Sequence, residues 1–115
     1  MTKRLAALVV IVAMLFVLSG CGYRYEVSIE EYGFVDPDDK SYVYVEYTIN
    51  NYYKDTCSFL VSFRFTKGDK TVATDNRYFI VSGKSKGTTT TFFRIENTDM
   101  SGTVVEIFNV DCSAF

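Results

Sequence analysis

In residues 57–66, Cys57, Phe59, Val61, Phe63 and Phe65 fall at every second position, with Ser58, Ser62 and Arg64 between them and Leu60 as the exception. A period of two belongs to a β-strand, whose successive side chains point to opposite faces. The same period runs through residues 42–50, where Val43, Val45, Tyr47 and Ile49 alternate with Tyr42, Tyr44, Glu46 and Thr48. No segment after residue 21 carries the i, i+3, i+4 apolar stripe of a core helix. The chain after residue 21 therefore reads as all-β.

Weaker alternation extends the pattern in both directions. Residues 23–32 place Tyr23, Tyr25, Val27 and Ile29 on one face. Residues 71–74 and 78–81 read as two short strands. Residues 88–96 align Thr89, Thr91, Phe93 and Ile95. Residues 103–112 align Val104, Phe108, Val110 and Cys112, with Glu106 out of character. Turn chemistry separates these runs. Asp36-Pro37-Asp38-Asp39 combines a fixed φ with side chains that bind nearby amides, and Lys67-Gly68-Asp69-Lys70 reads as a hairpin. Seven short strands at such spacing predict an all-β antiparallel sandwich.

Ahead of this region stands a different kind of segment. Lys3 and Arg4 precede an apolar run over residues 5–18, then Leu18-Ser19-Gly20-Cys21. As a helix the run would reach about 21 Å, short of the roughly 30 Å hydrocarbon core, which suits a signal peptide better than a span. The tetrapeptide resembles the lipobox of bacterial lipoproteins. The resemblance implies removal of residues 1–20 and a diacylglyceryl thioether on Cys21, the first residue of the mature protein. The expected location is the extracytoplasmic face of a bacterial membrane, with lipid on Cys21 as the membrane contact. Residues 21–115 would form one lipid-anchored domain.

Without the leader the chain keeps ten basic and fourteen acidic side chains, a net charge of −4. That total disfavours nucleic acid and anionic lipid headgroups as main partners. The sequence has no His. Ser-His-Asp and Cys-His nucleophile systems and His-bearing zinc sites are thereby excluded. With Cys21 assigned to lipid, Cys57 and Cys112 remain as an even pair in an oxidising compartment. Both fall in the apolar phase of their strands, as an intersheet disulfide would need. Such a bridge would close a loop of about 56 residues and contribute on the order of 4 kcal/mol. Two buried thiols are the alternative.

The segment over residues 42–96 is similar to the FxLYD-type and related immunoglobulin-like domains of bacterial surface lipoproteins. The carrying residues are Thr48-Ile49-Asn50-Asn51, the run from Phe59 to Phe65, Lys67-Gly68-Asp69-Lys70-Thr71-Val72, and Ser82-Gly83-Lys84-Ser85. Thr66-Lys67 stand where that family has its Tyr-Asp. The resemblance implies an immunoglobulin-like sandwich with an extracytoplasmic interaction role.

Candidate sites are few. Tyr42 and Tyr44 lie opposite the apolar face of their strand, and Tyr52 and Tyr53 lie in the loop that follows, so the four form a candidate binding patch. Asp36, Asp38 and Asp39 match no calcium loop and read as an acidic turn, so no metal is expected. Alternation sends Glu30 and Glu31 to opposite faces of a strand, and nothing pairs Glu46 with Glu106 as an acid and base. Lys84 and Lys86 belong to a turn without the phosphate-loop pattern. No cofactor motif is present. The expected function is a non-enzymatic interaction or accessory domain with an envelope protein as partner. An inhibitor or immunity-type lipoprotein that blocks an exogenous enzyme or toxin is the alternative.

Overall fold

The computed structural model describes residues 24–114. The leader, Cys21 and Tyr23 lie outside the described residues. Six strands are present: β1 (Tyr25–Phe34), β2 (Tyr42–Asn51), β3 (Cys57–Lys67), β4 (Lys70–Val81), β5 (Ser85–Arg94) and β6 (Val104–Ala114). They form two antiparallel three-stranded sheets, ordered β1-β2-β5 and β4-β3-β6.

The two clearest alternations become the two central strands. Val43, Val45, Tyr47 and Ile49 of β2 are buried, and so are Cys57, Phe59, Val61, Phe63 and Phe65 of β3. Aromatic rings join the sheets along their length. Tyr25 meets Phe59 edge to face at 5.2 Å, Tyr47 meets Phe63 at 5.2 Å, and Tyr32 meets Phe65 at 6.0 Å. Phe93 from β5 completes the centre, 5.2 Å from both Phe63 and Phe65. Offset and edge-on geometry is what ring quadrupoles favour, and it adds to the area buried.

Side chains close both flanks of the sandwich. At one flank Tyr25 donates its hydroxyl to the Val110 carbonyl of β6, at 3.2 Å. At the other, Arg77 of β4 reaches across to β5, donating to Thr91 Oγ1 at 3.0 Å and to the Phe92 carbonyl at 2.8 Å, with its guanidinium over the Phe93 ring. Six strands replace the seven expected because the two short strands read at 71–74 and 78–81 are one. Asp75, Asn76 and Arg77, between those two segments, keep the ladder with β3, and β4 runs through them. Asp75 also pairs with Arg77 at 3.1 Å.

Register shifts change three other expectations. One lies between Ile29 and Glu31, so Glu31 pairs with Glu46 on the outer face and Glu30 is exposed beside them. Glu30 and Glu31 therefore do not divide between faces. Another lies in β6, where Ser62 pairs with Asn109 and Phe63 with Ile107. Phe108 is the extra residue. Val105 and Ile107 point inward before it, and Val110 and Cys112 after it. Val104 and Phe108, expected inside, are each 40% exposed. Glu106 is thereby on the outer face, where it accepts from Arg64.

The expected intersheet disulfide also changes. Cys57 and Cys112 occupy β3 and β6, neighbouring strands of one sheet, and both are thiols. Cys57 pairs with Ala114 and Cys112 with Phe59, so the two cysteines are diagonal neighbours. Diagonal positions lie roughly 7–8 Å apart, past the usual span of a disulfide. The buried Cys57 thiol instead faces the Asp55 carbonyl at 3.5 Å.

At the end where β1 begins, two loops meet at Gly83. A Cβ there would stand 2.3 Å from the Lys54 carbonyl oxygen and 2.8 Å from the Asp55 nitrogen. Both neighbours are backbone, so the loops themselves must part. We expect Gly83→Ala to destabilise the domain by about 1–3 kcal/mol. Thermal unfolding followed by circular dichroism checks this, since about 1 kcal/mol moves Tm by roughly 4–8 °C in a domain of this size.

Candidate functional site

Antiparallel pairing puts Tyr42 and Tyr44 at the end of the sandwich farthest from Tyr25. Both point to the outer face of the β1-β2-β5 sheet. Their cross-strand neighbours on β5 are Arg94 and Phe92. Phe92 is 49% exposed, and its ring lies 6.3 Å from that of Tyr42. Arg94 stacks over Tyr42 at 4.1 Å and donates to Asp39 at 2.7 Å.

The cluster is held from beneath and from the side. Tyr44 lies against Gly33 of β1, where an added Cβ would be 3.1 Å from its hydroxyl oxygen. Glycine at that position lets the ring lie flat across the strand. The Tyr44 hydroxyl donates to Glu31 at 2.8 Å. Asp39 accepts from the Ser41 hydroxyl at 2.7 Å and the Ser41 amide at 3.0 Å. These bonds, with Arg94, hold its carboxyl below the usual carboxylate range. The result is a shallow aromatic platform with one cation, its rings held by these contacts.

Tyr52 and Tyr53 are not part of it. They lie at the other end of β2, about 30 Å away at 3.3 Å per residue. Tyr52 is 42% exposed and donates to Glu26 at 3.1 Å. Tyr53 packs against the core and carries Lys54 over its ring at 5.6 Å. The four-tyrosine patch is thus two separate pairs. Phe92 and Arg94 are the platform residues that sequence reasoning missed. Their signal was present, since Phe92 and Arg94 fall opposite the phase of Thr89, Thr91, Phe93 and Ile95, but register with Tyr44 and Tyr42 is a pairing fact.

The acidic candidates are used structurally. Asp36 accepts the Asp38 amide at 2.9 Å, forming a side-chain turn, and Asp39 is engaged as above. No group of three or more metal-ligating side chains occurs among the described residues. Glu46 and Glu106 stand on the outer faces of different sheets. The outer face of the β4-β3-β6 sheet carries a second apolar strip. Tyr78, 73% exposed, and Ile80, 52% exposed, lie beside Leu60 and Ser58. No protein-family model, curated protein or solved structure matches the chain.

Proposed function

We propose that this chain is a lipid-anchored extracytoplasmic interaction domain that performs no catalysis and binds an envelope protein through the platform of Tyr42, Tyr44, Phe92 and Arg94. The observation that carries the reading is placement. The platform lies at the end of the sandwich opposite the point where the chain enters β1, and Cys21 is three residues before Arg24. Acylated Cys21 holds one end against the bilayer, and the aromatic end faces away. Two acyl chains give a stable attachment where one would be marginal. Rigid tyrosine and phenylalanine rings with an arginine are the residue types that dominate recognition surfaces.

The sandwich itself fits the immunoglobulin-like reading. In that scheme β1-β2-β5 stand for strands A, B and E, and β4-β3-β6 stand for C′, C and F. A final strand G has no counterpart among the described residues.

Photocrosslinking from position 92 in intact cells tests the role. A discrete envelope protein in the adduct supports it; an exogenous protease or toxin in its place favours the inhibitor reading. With the partner in hand, Phe92→Ala and Tyr42→Ala should each weaken binding about ten-fold or more, as interface hot spots do. Their unfolding midpoints should stay near that of the parent. For the anchor, Cys21→Ser should abolish the acyl mass on the mature protein and release it from the membrane fraction. Retention without any lipid label would overturn the assignment.

A further inference from the structure

The net charge of −4 hides a separation. The end of the sandwich beside the chain's entry gathers four cations from four parts of the sequence: Arg24 before β1, Lys54 between β2 and β3, Lys84 between β4 and β5, and Lys86 on β5. All four are exposed. Backbone bonds lock these segments to one another. The Tyr52 amide donates to the Arg24 carbonyl at 2.9 Å, and the Lys84 amide to the Tyr53 carbonyl at 2.9 Å. Lys86 lines a shallow hollow on the outer face with Glu30 and Glu46, farther along the sheet, and two carboxylates lie at this end itself. Asp55 pairs with Lys54 at 3.1 Å, and Glu26 accepts from Tyr52. The opposite end holds Asp36, Asp38, Asp39, Asp69, Glu96 and Asp99 against Lys40, Lys67, Lys70 and Arg94. The domain is basic at one end and acidic at the other.

We infer that the basic end docks on anionic phospholipid headgroups, with Tyr52 and Tyr53 at headgroup depth. The inference rests on the lipid anchor proposed above. Three residues of extended chain reach at most about 10 Å, so acylated Cys21 holds Arg24 within about one Debye length of the bilayer surface. A cation cluster held that close gains from negative headgroups, and the acidic end is repelled outward. Tyrosine has the amphipathic ring that settles at a membrane interface. The stacks of Arg24 over Tyr52, at 5.9 Å, and Lys54 over Tyr53 place charge and ring together. Anionic headgroups, disfavoured by the total charge, become a fitting surface once position is known. The docking orients the domain and leaves the Tyr42 platform facing away from the membrane.

Hydrogen exchange of the acylated protein, purified from its membrane and reconstituted in vesicles, tests this. Vesicles of phosphatidylcholine alone are compared with vesicles that also contain phosphatidylglycerol. Peptides covering residues 50–56 and 82–87 should exchange several-fold more slowly on the anionic vesicles. Peptides covering residues 36–41 and 92–99 should not change. The difference should vanish at about 1 M salt, where the Debye length is about 3 Å. It should also vanish in a variant carrying Lys54→Gln, Lys84→Asn and Lys86→Gln, in which Asn suits the positive φ of 53° at position 84. An acylated chain with equal exchange on both vesicles overturns the docking alone. An unmodified Cys21 overturns the anchor, and the docking with it.

Discussion

Asn51→Ala should destabilise the domain by about 3–4 kcal/mol, a large share of the 5–15 kcal/mol typical of a whole fold. Asn51 is 1% exposed. Its amide nitrogen lies 3.0 Å from the Val81 carbonyl, 3.1 Å from that of Asp55 and 3.2 Å from that of Ser82. Its side-chain oxygen accepts the Tyr53 amide at 3.0 Å. One side chain thus ties the end of β2, in one sheet, to the end of β4, in the other, and folds the loop between β2 and β3 around itself. Alanine leaves those backbone groups without their partner at a place where water has little access. Each buried polar group so stranded costs about 1–3 kcal/mol. Asn51→Asp should be no better. It keeps the acceptor for Tyr53 but turns a carboxylate toward three carbonyl oxygens. Urea unfolding checks both variants through a lowered midpoint at unchanged slope. A midpoint within error of the parent would show that the loop does not need this residue. Because Asn51 also shapes the basic end, its loss should loosen residues 52–56 before the rest of the domain.

Asn51 shows what alternation reveals and what it hides. It continues the inward phase of Val43, Val45, Tyr47 and Ile49, yet beside Asn50 and Tyr52 it reads as the start of a polar loop. A polar residue in an apolar phase at a strand end marks a buried bond donor, and that signal was available. The central strands were legible because β2 and β3 each pair on both sides, so one phase holds for most of their length. Of the edge strands, β5, which has no bulge, kept the phase read for Thr89, Thr91 and Phe93, and the other three did not. Bulges in β1, β4 and β6 each insert a residue and reverse the phase beyond it. Glu106, in phase with Val104 and Phe108, was the trace of the last of these. Its carboxylate belongs on the surface with Arg64, so its apparent face could not be the core face. Met100, fully buried in the loop before β6, had no periodic signal because it is in no strand. Its amide is fixed by the Lys40 carbonyl at 2.8 Å, a contact made by topology. The tyrosine patch failed for the same reason. Tyr42, Tyr44, Tyr52 and Tyr53 are close in sequence because β2 joins them, and β2 is also what holds the two pairs apart. Net charge carries no position at all, so a basic end drawn from four segments was invisible in the total.

Alkaline pH should unfold this domain early and steeply, for a reason that lies in its core. Tyr32 and Tyr47 are each 1% exposed. Burial pushes both phenols up to about 12 from an ordinary value of 10.0; the Thr103 hydrogen bond opposes the shift at Tyr32, and the Arg77 charge opposes it at Tyr47. A folded-state pKa above the unfolded one means that the native state holds its proton longer. The resulting stability is whole below pH of about 10 and is lost as pH rises toward 12, where the unfolded chain has already released protons that the folded chain still binds. Two such groups give a downward slope of about 3 kcal/mol per pH unit in that window, or roughly 5 kcal/mol across it. Tyr52, raised chiefly by its bond to Glu26, and Lys54, raised by Asp55, act in the same direction from exposed positions. Denaturant unfolding at a series of pH values between neutrality and 12 measures the slope directly. Tyr32→Phe removes one of these two shifted phenols while Thr103 keeps its own bond to the Met100 carbonyl at 2.8 Å. The variant should therefore lose about half of the slope, whatever it does to stability at neutral pH. Tyr47→Phe should do the same, and the double variant should lose the contribution of both phenols. A parent whose stability does not fall between pH 10 and 12, or variants that leave the fall unchanged, would show that these phenols are not the groups that hold their protons.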